Sequence, residues 1–257
     1  MNAGLECGRL DRSLRSPLNL PIQMNPMRIH SKLLLCFFLV ALATGCVSLN
    51  GAESANAHEW EILFDGKSIE KWRGYKRDAF PAKTWEIKDG CLKAIPGDDG
   101  VDLVTKEQYG DFELRLEWKV APGANSGILY HASEATDEPW QTGPEMQVLD
   151  DDKHADGQDP LTSAGSLYAL IAPKNKKLKP VGEWNEARII VRGDHVEHWL
   201  NGLKIVEYEL GSPELNKLIA ASKFKDWPRF GKEKSGHIVL QHHHDEVWYR
   251  NIRVRRL

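Results

Sequence analysis

Phe112, Leu114, Leu116, Trp118 and Val120 alternate without a break with Glu113, Arg115, Glu117 and Lys119. Side chains along an extended strand point to opposite faces in turn. This stretch therefore carries its apolar groups on one face and its charges on the other. That pattern commits the chain to sheet with one wet face and one buried face. Shorter runs repeat it. Trp85 to Lys88, then Asp89-Gly90, then Cys91 to Ala94 reads as a hairpin, because Asp-Gly supplies the positive-φ positions of a tight turn. Ala187–Val191, His195–Leu200 and Lys204–Tyr208 read as three further strands punctuated by Gly193-Asp194 and Asn201-Gly202, and His237–Gln241 and Val247–Arg255 close the chain. Helical pattern is confined to Pro213–Ala221. Many short strands with Gly and Asn turns predict an all-β fold, a sandwich or jelly roll. One segment breaks the rhythm: 139–185 is long, rich in Gly, Pro, Asp and Lys, and only briefly strand-like, which marks it as a functional loop region.

The N-terminal part has a different character. Leu33 to Ala43 is almost wholly apolar, with Arg28, His30 and Lys32 before it. It is shorter than the roughly 20 residues a bilayer span needs, and it suits the core of a signal peptide. It runs into Leu42-Ala43-Thr44-Gly45-Cys46, which resembles a bacterial lipobox. The expectation is a signal peptide over 1–45, with 1–23 a possible gene-model extension before Met24 or Met27. Cys46 is then the lipidated residue, 46–58 a small polar tether, and 59–257 the folded domain. Lipid anchoring would place the protein in the cell envelope, its only membrane contact being the anchor. Of the four cysteines only Cys91 falls within 59–257, so neither an intradomain disulfide nor a cysteine zinc site can form there.

Composition narrows the partners. With 41% hydrophobic and 28% charged residues and a formal net charge of -3, the chain is an ordinary globular one. No basic stripe suggests nucleic acid. All nine tryptophans lie from Trp60 onward. Most of them are expected in the core, with one or two left to stack on a ligand.

Polar groups crowd the irregular region and the strands that feed it. Asn125-Ser126-Gly127-Ile128 opens a strand that continues to Tyr130 and His131. In Glu145 to Asp150, Glu145, Gln147 and Leu149 share one face, and Met146, Val148 and Asp150 the other. A carboxylate where alternation would bury it is costly unless paired, so Glu145 or Asp150 is expected to line a concave face. Asp150 to Asp156, with His154 among the acids, lacks the ligand order of a calcium loop and reads as a solvated acidic turn. Gly165-Ser166-Leu167-Tyr168 is not a nucleophile elbow. Gln241-His242-His243-His244 places His242 and His244 on one side and His243 with Gln241 on the other. Such a pair could hold a divalent metal if a third ligand arrived, though polar groups at the rim of a site are the simpler reading.

Taken in order, Asn125-Ser-Gly-Ile, Glu145-Met-Gln-Val-Leu-Asp150, Gly165-Ser-Leu-Tyr168, Gly182-Glu-Trp-Asn185, His198-Trp-Leu-Asn-Gly202 and Trp248-Tyr-Arg-Asn-Ile-Arg253 resemble the 3-keto-disaccharide hydrolase family. The resemblance runs from about Trp60 to the C-terminus. It implies a concanavalin A-like jelly roll, export, and cleavage of a glycoside whose sugar carries a ketone at C3. Where the family has Gln-Asp-His-Gly, this chain has Gln241-His242-His243-His244, so only His243 keeps the family's residue there. A C3 ketone acidifies the C2 proton, so cleavage requires a base, an acid for the departing oxygen, and a partner for the enolate oxygen. Candidates are His243 or Glu145 as base, and Tyr168 or the other of those two as acid, with Asp150 a further catalytic candidate. Asn125, Ser126, His131, Gln147, Trp184, Asn185 and Gln241 are candidates for holding the carbohydrate. Two rival readings are a non-catalytic carbohydrate-binding module and a structural surface domain; neither needs a perturbed acid or base in a cleft.

Overall fold

The computed structural model describes residues 59–257; the signal peptide, Cys46 and the tether lie outside the described residues. Thirteen strands form: β1 (Glu61–Phe64), β2 (Trp72–Gly74), β3 (Trp85–Lys88), β4 (Cys91–Ala94), β5 (Leu103–Thr105), β6 (Phe112–Val120), β7 (Asn125–Ala132), β8 (Glu145–Leu149), β9 (Asn185–Arg192), β10 (His195–Leu200), β11 (Leu203–Glu209), β12 (His237–Leu240) and β13 (Val247–Arg256). One α-helix, α1 (Pro213–Ala220), stands between β11 and β12. The larger sheet runs β11-β10-β9-β6-β13-β4-β3 with β1 on β13, and the smaller runs β2-β5-β12-β7-β8. The result is the expected all-β sandwich of jelly-roll type.

The predicted elements form for the predicted reasons. Asp89 and Gly90 take φ of 51° and 72°, closing the β3–β4 hairpin. Helix α1 begins where Ser212 accepts from Leu215 N and Pro213 fills the first turn. On β6 every apolar residue named above is buried against the smaller sheet. Each such side chain contributes about 2 kcal/mol of transfer free energy on leaving water. Polar groups also bridge the layers. Ser126 Oγ meets Tyr249 Oη at 2.6 Å, and Tyr130 Oη meets His198 Nε2 at 2.8 Å. Among the described residues no helix is long and apolar enough to cross a membrane.

Candidate active site

Partners across an antiparallel ladder share a face. Gly127 pairs with Gln147 and Leu129 with Glu145, while Val239 pairs with both Leu129 and Val104. These residues therefore form the face of the smaller sheet that points away from the core. The intervening Ile128, Tyr130, Met146, Val148 and Leu240 point into the core. On this outward face lies a cleft of about 700 Å³, whose lining includes Tyr75, Asp102, Glu138, Trp140, Gln241 and His243.

Glu145 is 7% exposed and, among the described residues, accepts no hydrogen bond from another side chain. Its neighbour Gly127 is what admits it, since a Cβ there would stand 2.1 Å from Glu145 Oε1. Burial pushes the Glu145 carboxyl up to about 8, with the charges of Asp102 and Asp156 adding to the rise and Lys223 opposing it. Asp102, on the cleft lining, is pushed up to about 7, again chiefly by burial, although its Oδ1 accepts from His242 N at 2.6 Å. Two carboxyls that hold their protons near neutrality are what a solvated surface acid would not show.

The irregular segment 139–185 contributes Trp140 to the cleft lining and packs along β8. Gly165 N donates to Gln147 O, Gln147 N to Ser166 O, and Tyr168 N to Glu145 O, so 165–168 lies along the free edge of β8. Tyr168 Oη then donates to Asp156 Oδ2 at 3.2 Å, and burial together with Asp156 raises its phenol further above the ordinary value. Lys223, from the turn after α1, sets its ammonium 4.3 Å from the Tyr168 ring centroid and 5.3 Å from that of Trp140. Trp140 in turn packs edge-on against Trp227 at 5.3 Å.

The three histidines diverge once β12 ends at Leu240. His242 packs edge-on to Trp85 and its Nε2 reaches Ile95 O at 2.9 Å, while His244 Nδ1 reaches Gly97 O at 3.0 Å. His243 turns the other way, toward the His154 ring at 6.3 Å. Desolvation lowers its imidazole pKa, His244 and His154 lower it further, and Asp245 pulls the other way. The three histidines do not converge on one point. Among the described residues the one convergent set of three such ligands is His195, Glu197 and Glu207, on β10 and β11 of the larger sheet. There the Lys204 ammonium already bridges both carboxylates.

Five of the expected site residues lie elsewhere. Asp150 spends its carboxylate on Gly123 N, Asp152 N and Lys153 N, which fastens a turn, and it does not line the cleft. Ser126 faces the core, bonded to Gln241 O and Tyr249. At His131 the β7–β12 register slips and φ is 50°, which turns the ring to Gly110 O and against Phe112. Asn185 Oδ1 accepts from Lys179 N and Asn201 Nδ2, tying two loops together. Trp184 lies on the outer face of the larger sheet, with Arg250 3.9 Å and Lys119 4.9 Å from its ring centroid. Glu145, Gln147, Asn125 and Gln241 stay on the outward face of the smaller sheet, His243 lines the cleft there, and Tyr168 lies along the edge of β8; among the described residues Asn125 Oδ1 is buried without a partner. Asp102, Asp156, Lys223 and Trp140 belong to the same site and were not singled out from the sequence. Only His154 carried a signal, and its acidic turn reads on charge alone as a solvated one.

Comparison with known proteins places this geometry in context. A profile of the family described as "3-keto-alpha-glucoside-1,2-lyase-like domain" matches residues 59–255. A curated protein of Bacteroides thetaiotaomicron, named 3-keto-disaccharide hydrolase, is 41% identical over 231 residues, spanning 78% of this chain and 79% of its own. A crystal structure of a candidate glycosyl hydrolase from Parabacteroides distasonis superposes with a TM-score of 0.71 at 30% identity, over 77% of this chain and 94% of that one. A second from the same organism gives 0.63 at 30% identity, over 77% and 100%.

Proposed function

The chain belongs to the 3-keto-alpha-glucoside-1,2-lyase-like family, and from that premise we propose that it cleaves the glycosidic bond of a sugar bearing a ketone at C3. What supports this reading is a buried carboxyl on the outward face of the smaller sheet, pushed up to about 8, and an imidazole lining the cleft on that face whose pKa desolvation lowers. An elimination needs such a pair: an unprotonated base and a protonated acid present together at neutral pH. His243, neutral, takes the C2 proton. The C2–H electrons move onto the C3 oxygen as an enolate, then return to re-form the ketone and a C1–C2 double bond as the C1–O bond breaks. Glu145 gives its proton to the departing oxygen. Water then adds to C1 and a proton to C2. Tyr168, still protonated, and Gln241 hold hydroxyls, and Trp140 offers an apolar ring to the sugar.

A binding module would need no perturbed acid. Incubating the purified protein with a 3-keto disaccharide and with its unoxidised parent, each with and without divalent metal, separates the readings. Free sugar released from the keto form alone is the expected result. Retained binding without release from either sugar would leave a binding module in its place.

A further inference from the structure

Lys223 opens the 223–226 turn, where Ser222 Oγ accepts from Phe224 N at 3.1 Å and fixes the backbone. Its ammonium lies among three rings, 4.3 Å from the Tyr168 centroid and 5.3 Å from those of Trp140 and Phe224. The residue stays exposed although these rings surround its ammonium. Glu145 and Asp156 act on it through their fields only, with no hydrogen bond to either. Among the described residues no carboxylate comes within ion-pair distance of it, whereas Lys71, Lys93, Lys176 and Lys204 each hold one. An ammonium has three donors and no acceptor of its own. Here those donors lie beside Trp140, which lines the cleft, and within the field of the buried Glu145.

We propose that Lys223 is the catalytic residue that receives the C3 oxygen of the substrate, donating to the ketone and holding the negative charge as it develops there. The assignment rests on the 3-keto reading above. A ketone oxygen is an acceptor only, which matches a group that only donates. When His243 removes the C2 proton, the C2–H electron pair becomes the C2–C3 π bond and the ketone π pair moves to oxygen. The positive charge beside it then gains strength, because aromatic walls screen it less than water would. When the C1–O bond breaks, the charge leaves that oxygen and the ammonium is unchanged. The hydroxyl of an unoxidised sugar develops no such charge, so Lys223 favours the keto substrate in the transition state more than in the ground state.

The test compares wild type, Lys223→Met and Lys223→Arg on a 3-keto disaccharide, and follows in D2O the exchange of the C2 hydrogen that enolate formation allows. Lys223→Met is expected to lose kcat by about 10²–10³-fold, the scale for one oxyanion donor. KM should move far less and C2 exchange should fall in parallel, with Lys223→Arg recovering at least part of both. Kcat of Lys223→Met within threefold of wild type would overturn the assignment. So would lost turnover with C2 exchange intact, or reductive trapping of a substrate adduct on Lys223. A wild type inert toward the ketone would overturn the function itself, and this assignment with it; an active wild type beside an unaffected variant would remove only Lys223.

Discussion

At the scale of single residues, the site depends on one missing side chain. Glu145 sits within the sheet face because Gly127 has no Cβ, and a methyl there would meet Oε1 at 2.1 Å. Gly127→Ala is expected to swing the carboxyl out toward water. The acid then drops toward its ordinary pKa and ceases to be protonated at neutral pH. Turnover should fall by tenfold or more, while the melting temperature shifts by less than a few degrees. Unchanged activity in this variant would take Glu145 out of the acid role. Reading alternation in Glu145–Asp150 left two acids, Glu145 and Asp150, as candidates for a concave face. It could not separate Glu145 from Asp150, because the two differ in what their oxygens meet, and those partners come from Gly123 and from the following turn.

At the scale of elements, the alternation in β6 holds for its apolar side and hides a buried charge on the other. Glu113 is 1% exposed although it belongs to the outer face of the larger sheet. Arg115 and Arg188 donate to its Oε1 at 2.8 and 2.6 Å, and Arg255 donates to Oε2. Trp60 stacks over Arg115 and Arg255, and Trp199 over Arg188, so aromatic rings cover the cluster. Glu113→Gln leaves three guanidiniums around a neutral group. It is expected to lower stability by about 2 kcal/mol, roughly 4–8 °C for a domain of this size. The cluster lies on the opposite face from the cleft, so kcat should be unaffected. Thermal unfolding together with a turnover assay checks both halves. The same element logic explains where the tryptophans went. Most of them were expected in the core, but only Trp72, Trp85 and Trp118 are fully buried, while Trp140 lines the cleft and Trp184 lies under cations on the wet face.

At the scale of the whole molecule, the cleft gathers acids from separate parts of the chain, Asp102 from beside β5, Glu145 from β8 and Asp156 from a loop, and their mutual repulsion adds to burial. The sign of the pH dependence follows. A base lowered from the imidazole value becomes active at modestly acidic pH, and an acid near 8 is lost above it. The rate should therefore be bell-shaped, with its alkaline limb near pH 8. Asp102→Asn keeps the acceptor for His242 N and removes one negative charge. The Glu145 carboxyl then loses its proton more readily, and the alkaline limb moves to lower pH. A kcat/KM profile in which that limb stays put, or moves up, would contradict the coupling.

The sequence alone determined the fold class and the register of faces. Period two, tight-turn dipeptides and a single capped helix are local properties, set by backbone geometry within a few residues. They also brought out Glu145, Gln147 and Gln241, which share one face of their strands. Only the tertiary structure decided which polar residues meet. Lys223 comes from a turn far along the chain from Tyr168 and Glu145, and Ser126 faces the core because its strand alternates inward at that position. Burial and proximity set a group's protonation, and both depend on residues that sequence neighbours do not reveal.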